Sequence, residues 1–232
     1  MPDLRIPFIQ VAGVRNSAEA KLLEDCGVGY LGFPLRLPVH AEDASESEVA
    51  RMVAEITPPA RGVLITYLDD PEAIDALCRA LGVRIVQLHG DVRAAALDRL
   101  RALDPELSIV KSLVVGRKDP SALEADVLEF SPRVDAFLTD TYDPTSGASG
   151  ATGKTHDWRI SRRLVEISPR PVILAGGLTP DNVAAAISAV RPAGVDSHTG
   201  VEDASGAKSR ERVARFVREA MEQFRRMAPD DV

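Results

Sequence analysis

Two short glycine-bearing segments in the last quarter of the chain have the composition of an anion-binding site. The first, Ala175–Thr179, contains two adjacent glycines between an apolar run and a predicted helix start. The second, Ser197–Gly200, offers backbone N–H groups and hydroxyl groups after the next apolar run. Glycine lets backbone N–H groups approach an anion closely, and a helix N-terminus adds a partial positive charge. The predicted phosphate-binding residues are Gly176, Gly177, Thr199 and Gly200.

Titratable side chains stand at the ends of other apolar runs. Asp140 ends the run FLTD, and His89 ends the run VQLH. A carboxyl group can act as a general acid or base where burial raises its pKa, so Asp140 is a candidate for either role. We expect His89 to face the ligand and Asp196, which lies inside a later run, to fix the neighbouring loops.

The spacing of metal-ligating residue types predicts neither a metal site nor a cofactor. The four histidines are dispersed and form no short cluster with cysteines or carboxylates. Cys26 and Cys78 each lie in an apolar helical stretch, which is typical of unpaired core thiols in a reducing compartment.

An alternation of apolar runs and helical stretches positions these residues. The predicted strands are Ile6–Val11, Gly29–Phe33, Gly62–Thr66, Arg84–Leu88, Ser108–Leu113, Asp135–Asp140, Val172–Ala175 and Gly194–Ser197. The predicted helices include Ser17–Asp25, Glu46–Ile56, Pro71–Leu81, Val92–Leu103, Pro180–Val190 and Lys208–Phe224. Repeated βα units build a parallel sheet, and one barrel typically needs about 250 residues. We therefore predict an α/β fold, a single (β/α)8 TIM barrel over residues 1–232.

A doubly wound open sheet is the alternative fold for the same alternation. That fold needs a glycine-rich turn after its first strand, and Ala12–Asn16 holds one glycine. Glycines cluster instead after the last three predicted strands, and barrels often bind phosphate with the loops after the last two. The polar segment Thr141–His156 follows the sixth predicted strand, and we predict that it is an active-site lid.

The composition of the chain limits the classes of partner that we expect. The chain carries a net charge of −7, which argues against nucleic acid because nucleic-acid binding needs a basic surface. The absence of a run of about 18 apolar residues predicts no membrane span. The first ten residues lack a signal-peptide pattern. We expect a cytoplasmic protein whose partner is a phosphorylated small molecule.

The motifs together resemble the phosphoribosylanthranilate isomerase family, barrel enzymes of tryptophan biosynthesis. The matching stretches are Tyr30–Phe33, Val86–Asp91, Leu138–Thr141, Gly153–Trp158, Leu174–Val183, Gly194–Asp196 and Gly200–Glu202. The resemblance implies an Amadori rearrangement of an aminoaldose phosphate into an aminoketose. It also implies that Asp140 protonates the ribose ring oxygen before a base removes the C2 proton.

The sequence departs from the family where that base should stand. The family base is a cysteine in a Lys-x-Cys-Gly motif at the end of the first strand, and the motif here reads Gln10-Val11-Ala12-Gly13. A methyl group accepts no proton, and a general base typically contributes 10²–10⁴-fold in rate. We therefore expect the standard reaction to be slow or absent.

The predicted rim of the site also departs from the family pattern. Arg36, the candidate cation for the ligand, falls earlier than the family's arginine, and Glu42 and Asp43 occupy later positions. After the last strand, His198 and Thr199 replace small serines. His198 is a candidate substitute base, because the first and last strands adjoin in a closed barrel.

Three functional hypotheses follow. The first is an isomerase of the family that uses Asp140 with a different base. The second is an enzyme for another phosphosugar or N-glycoside, with His198, His89 or Asp143 as acid–base groups. The third is a non-catalytic barrel that binds a phosphorylated ligand or a protein.

Overall fold

The computed structural model describes residues 4–38, 42–143, 148–149 and 153–227. Its strands are β1 Phe8–Ala12, β2 Tyr30–Leu35, β3 Arg61–Thr66, β4 Ile85–Leu88, β5 Ser108–Val115, β6 Ala136–Asp143, β7 Ala148–Ser149, β8 Val172–Leu174 and β9 Gly194–Ser197. Its α-helices are α1 Ser17–Asp25, α2 Glu46–Glu55, α3 Pro71–Leu81, α4 Ala94–Leu103, α5 Pro120–Phe130, α6 Trp158–Ile167, α7 Val183–Val190 and α8 Arg210–Met227. A short 3-10 turn, Thr199–Val201, follows β9.

Eight of these strands close into a parallel barrel. β1 pairs in parallel with both β2 and β9, and β5 pairs in parallel with both β4 and β6. The order around the barrel is β1 to β6, then β8 and β9. The two-residue β7 pairs antiparallel with the end of β6 and stays outside the ring. The predicted (β/α)8 TIM barrel is confirmed, and the open-sheet alternative is wrong.

Side chains of the strands alternate between two cores, as the period of two requires. The interior of the barrel holds Phe8, Tyr30, Val63, Ile85, Val110, Leu138 and Ile173. Phe8 and Tyr30 stack with ring centroids 3.7 Å apart and fill its amino-terminal end. The larger core lies between the strands and the helices, where Leu31, Phe33, Leu88 and Phe137 are fully buried. The amino-terminal end is therefore packed, which leaves the carboxyl-terminal end for a ligand.

Helix starts follow local capping chemistry, with one difference from the prediction. Asp70 caps α3 by accepting a hydrogen bond from Ala73 N at 2.8 Å, as its Asp-Pro sequence indicates. The helix predicted from Pro180 instead begins at Val183. Thr179 N donates to Asn182 Oδ1 at 2.8 Å, and this bond closes a turn ahead of α7. The delay keeps the backbone after Gly177 outside the helix.

Both cysteines are free; Cys78 is buried and Cys26 is half-buried. Over the described ranges, no helix is long and apolar enough to cross a membrane.

Candidate functional site

The predicted acid–base residues meet at the carboxyl-terminal mouth of the barrel. Asp140 lies on β6, and His89 directly follows β4. His89 Nε2 lies 3.3 Å from Asp140 Oδ2, and each side chain is 8% exposed. Thr141 N donates a 2.7 Å hydrogen bond to Asp140 Oδ1. Both carboxyl oxygens of Asp140 therefore have a defined neighbour, which fixes the orientation of the group.

His89 is held by packing as well as by Asp140. The ring of Tyr67 stacks on the imidazole with centroids 5.3 Å apart, and His89 N donates to Thr66 O at 2.9 Å. Its Nδ1 is buried and has no hydrogen-bond partner within the described residues. Burial, with the nearby charge of Asp140, raises the pKa of Tyr67 to about 12, so this phenol stays neutral.

A second carboxyl group, Asp196, lies inside the mouth beside Gln10. The two residues are register partners across β9 and β1, and Gln10 Nε2 donates to Gln87 Oε1 at 2.8 Å across the barrel interior. Burial raises the pKa of Asp196 to about 7; the charge of Asp140 adds to the rise, while Gln10 and Lys208 oppose it. Asp196 Oδ1 has no hydrogen-bond partner among the residues that the structure describes. The expectation that Asp196 fixes neighbouring loops stays a prediction.

The two glycine segments form one cleft with these carboxyl groups. Its walls are Gly153, Gly176, Gly177, Leu178, Ser197, His198, Thr199 and Gly200, together with Asp140 and Asp196. Within the described chain, the N–H groups of Gly176 and Gly177 donate to no backbone carbonyl. The structure thus brings together the four residues predicted to bind phosphate.

Close backbone contacts require glycine in this cleft. Gly177 has a φ of +61°, and an added Cβ would lie 2.5 Å from the carbonyl carbon of Lys154. A Cβ on Gly200 would lie 1.8 Å from Leu178 O. Ser197 Oγ donates to the same carbonyl oxygen at 2.8 Å, which holds the two segments against each other.

The carboxyl end of the predicted lid lies across the cleft. Its backbone at Lys154 and Thr155 packs against Gly177. His156 anchors this end, because Nδ1 lies 2.8 Å from Thr141 Oγ1 and Nε2 lies 2.6 Å from Ser161 Oγ. Burial lowers the pKa of His156, which favours the neutral ring in this bridge. Residues 144–147 and 150–152 of the predicted lid lie outside the described residues.

The family model for N-(5'-phosphoribosyl)anthranilate isomerase matches residues 9–219. The chain belongs to this family. The isomerase 2 of Methanosarcina mazei is 38% identical, over 93% of this chain and 95% of its own length. The isomerase of Haloferax volcanii is 38% identical over 90% of both chains.

Solved structures agree with this assignment. Phosphoribosylanthranilate isomerase from Thermotoga maritima superposes with a TM-score of 0.78 at 26% identity, over 92% of this chain and 98% of that one. A complex of the isomerase with reduced 1-(o-carboxyphenylamino)-1-deoxyribulose 5-phosphate has a TM-score of 0.75 at 23% identity, a likeness of fold. It covers 92% of this chain and 97% of that chain.

Ala12, at the position of the isomerase family's catalytic cysteine, lies at the mouth end of β1. Its side chain is buried among the apolar residues inside the barrel. His198 lies against Gly13, the residue after Ala12, since a Cβ added to Gly13 would be 2.1 Å from His198 Nε2; its role as a substitute base stays a prediction. His198 Nε2 also lies 3.5 Å from Glu202 Oε1, the oxygen that accepts a 2.7 Å hydrogen bond from Lys208 Nζ.

Arg36 is not brought to the cleft, which corrects its predicted place among the ligand-binding residues. Its Nε donates to Glu46 Oε1 at 2.6 Å, and its backbone N donates to Glu42 Oε1 at 2.7 Å. The side chain is 55% exposed. The acidic first turn of α2 thus holds the guanidinium on the outer rim. Of the other candidates, the side chain of Asp143 lies outside the described residues.

Sequence reasoning missed a buried ionic cluster behind His198. The side chain of Lys208 is fully buried and bonds both Glu202 and His198 O. Lys208 N donates to Glu19 Oε1 at 3.2 Å, and Glu19 pairs with Arg15 at 2.8 Å. Burial raises the pKa of Asp43, which belongs to the same electrostatic neighbourhood.

In the described part of the chain, no three His, Cys, Asp or Glu residues form a group that could hold a metal.

Proposed function

We propose that this protein is an aldose–ketose isomerase that performs an Amadori rearrangement on an N-linked phosphoribosyl amine. The observation that carries the proposal is that one cleft contains both the fixed carboxyl group of Asp140 and the paired glycine segments. A phosphosugar needs both, since its phosphate must be held while its other end reacts. Membership of the isomerase family supports phosphoribosylanthranilate as the first substrate to test.

The glycine segments bind the phosphate in this proposal. The N–H groups of Gly176, Gly177, Thr199 and Gly200 can donate hydrogen bonds to the phosphate, so no cationic side chain is needed. The Lys154–Thr155 backbone lies over the same place. This part of the lid therefore has to shift for the phosphate to enter, and it then shields the reacting end from water.

Asp140 acts as the general acid. It protonates the ribose ring oxygen, the bond from that oxygen to C1 breaks, and the nitrogen lone pair forms a C1=N bond. Thr141 N and His89 hold the carboxylate that results. Hydrogen bonds and a neighbouring imidazole stabilise such a charge in a buried site.

The test is a steady-state assay with phosphoribosylanthranilate. The wild-type protein should turn over slowly because Ala12 accepts no proton. The double variant Gln10→Lys, Ala12→Cys restores the family motif, and it should raise kcat/KM by about 10²-fold. Absence of turnover in both proteins would show that the proposed reaction is wrong.

A related substrate without a carboxylate is the second candidate. The observation that favours it is the acidic rim. There the backbone N of Arg36 donates to Glu42, and its guanidinium group pairs with Glu46. Like charges repel a carboxylate at short range. The phosphoribosyl derivative of aniline lacks the carboxylate of the anthranilate compound, so a higher kcat/KM with it would favour this candidate. If phosphoribosylanthranilate is the better substrate, this second candidate is wrong.

A further inference from the structure

We infer that Asp196 is the second acid–base group of this site and takes the C2 proton that Ala12 cannot accept. The inference rests on the proposed isomerase function and names a catalytic residue for it. The structure supports it through the position of Asp196, its unsatisfied oxygen and the replacement of its neighbour on β1.

Asp196 occupies the strand next to the missing base. β9 and β1 are neighbours, and Asp196 is the register partner of Gln10, two residues before Ala12. Gln10 and Ala12 share the inner face of β1, because alternate residues of a strand point to the same side. The carboxyl group of Asp196 therefore enters the mouth from the side on which the family cysteine would stand. Asp140 lines the same cleft from β6.

The carboxyl group of Asp196 is buried but not saturated with hydrogen bonds. The residue is 7% exposed, and its Oδ1 lacks a partner within the described ranges. A buried carboxyl oxygen without a partner is costly, so native structures seldom retain one without a function. It lines the cleft in which the sugar would react.

The two changes in the family motif are coupled through Asp196. A lysine at position 10 would place an ammonium group beside this carboxyl group and favour its ionised form. The neutral amide of Gln10 lowers the pKa less than an ammonium group would, and burial keeps the pKa at about 7. The alanine at position 12 makes a new base necessary. The glutamine at position 10 leaves Asp196 with the proton affinity of an effective base.

The charged groups facing Asp196 come from several elements. Asp140 on β6 raises its pKa, and Lys208, ahead of α8, lowers it. His198 lines the same cleft, and His89 contacts Asp140 from the opposite side. Protons of interacting carboxyl groups belong to the pair. With one proton on the pair, the reaction uses the arrangement in which Asp140 carries that proton and Asp196 is ionised.

Asp140 and Asp196 together account for every proton that the rearrangement moves. After Asp140 has protonated the ring oxygen, Asp196 removes the C2 proton. The C2–H electron pair forms C1=C2, and the C1=N pair returns to nitrogen. Asp196 then gives its proton to C1, while the C2 hydroxyl proton passes to Asp140. The ketose forms, and both carboxyl groups return to their starting states.

The decisive variants are Asp196→Asn and Gln10→Lys, assayed with phosphoribosylanthranilate from pH 5 to pH 9. In the wild type, the pH profile of kcat should be bell-shaped, because the reaction needs one proton on the Asp140–Asp196 pair: an acid limb where the pair loses its first proton, and a basic limb near pH 7 where it loses the second. Asp196→Asn should lower kcat at least 100-fold with a small change in KM, and Ala12→Cys added to it should restore turnover. Gln10→Lys should move the acid limb of the profile to lower pH, because the added cation favours the carboxylate.

The control is Asp135→Asn, which removes a carboxyl group paired with Arg101 at the opposite end of the barrel. It should keep the kcat and the pH profile of the wild type. Asp196→Asn turnover within threefold of the wild type, or a profile that Gln10→Lys leaves in place, would overturn the inference. An acid limb lost in His198→Ala but kept in Asp196→Asn would assign the base to His198 instead. Absence of turnover in both the wild type and the Gln10→Lys, Ala12→Cys variant would overturn the isomerase function itself, whereas turnover in that variant alone would overturn only the role of Asp196 as base.

Discussion

His89 and Asp140 stand on either side of β5, and their side chains meet at 3.3 Å across the mouth of the barrel. The imidazole supports the carboxyl group that, in our proposal, protonates the sugar. The two residues are 51 positions apart in the chain, so closure of the sheet brings them together.

Asp140→Asn should slow catalysis strongly while the fold is retained. The amide keeps the size of the side chain but cannot donate an acidic proton, and a general acid typically contributes 10²–10⁴-fold. We expect kcat to fall by about that factor. His89→Asn should reduce kcat less, by about tenfold, because it removes support for the carboxylate and leaves the acid in place. Steady-state kinetics decide the ranking; a larger loss in His89→Asn would assign the acid role to His89.

Gly200→Ala should remove phosphate binding. The new Cβ would lie 1.8 Å from Leu178 O, so the two glycine segments must separate. Forcing such a contact in packed structure typically costs about 1–3 kcal/mol. Calorimetry with inorganic phosphate should show at least a tenfold weaker affinity. Gly29→Ala is the matched control, because its Cβ makes an ordinary 3.7 Å contact with Ile9 O and should leave phosphate affinity unchanged.

The fold could be predicted from the sequence because each strand carries its own signal. Runs such as Val172–Leu174 are apolar throughout, as strands covered on both faces require. The glycine-lined cleft could be predicted for a related reason: glycine-bearing segments after successive strands converge once the barrel closes. Both inferences use local residue types and a known topology.

The interactions of the site could not be predicted in the same way. The ion pair between Arg36 and Glu46 depends on where α2 begins relative to β2. The raised pKa of Asp196 depends on burial and on Asp140, which is 56 positions away. Neither distance nor desolvation can be read from spacing along the chain. The sequence therefore placed the candidate residues at one mouth of the barrel but could not give the environment of Asp196.

His156→Ala should loosen the lid. The substitution removes both hydrogen bonds that join Thr141 to Ser161 and leaves those two hydroxyl groups without their partner. Loss of a buried partner typically costs about 1–3 kcal/mol. We expect faster proteolysis between Gly153 and Trp158 and a higher KM for the phosphorylated substrate. Proteolysis as slow as in the wild type would show that His156 does not anchor the segment. Ser188→Ala is a suitable control, because it removes a side-chain hydrogen bond on the exposed face of α7.

Asp196→Asn should also change how stability depends on pH, and this effect can be measured without substrate. Burial raises the pKa of Asp196 from 3.8 to about 7. Between those values the unfolded chain has released the proton that the native protein still holds, so this group lowers wild-type stability as pH rises. Asparagine has no such dependence. The variant should therefore gain stability relative to the wild type from pH 4 to pH 8, by at most about 4 kcal/mol. Urea unfolding at both pH values measures the difference; a constant difference would show that Asp196 is ionised throughout and is not the tuned base.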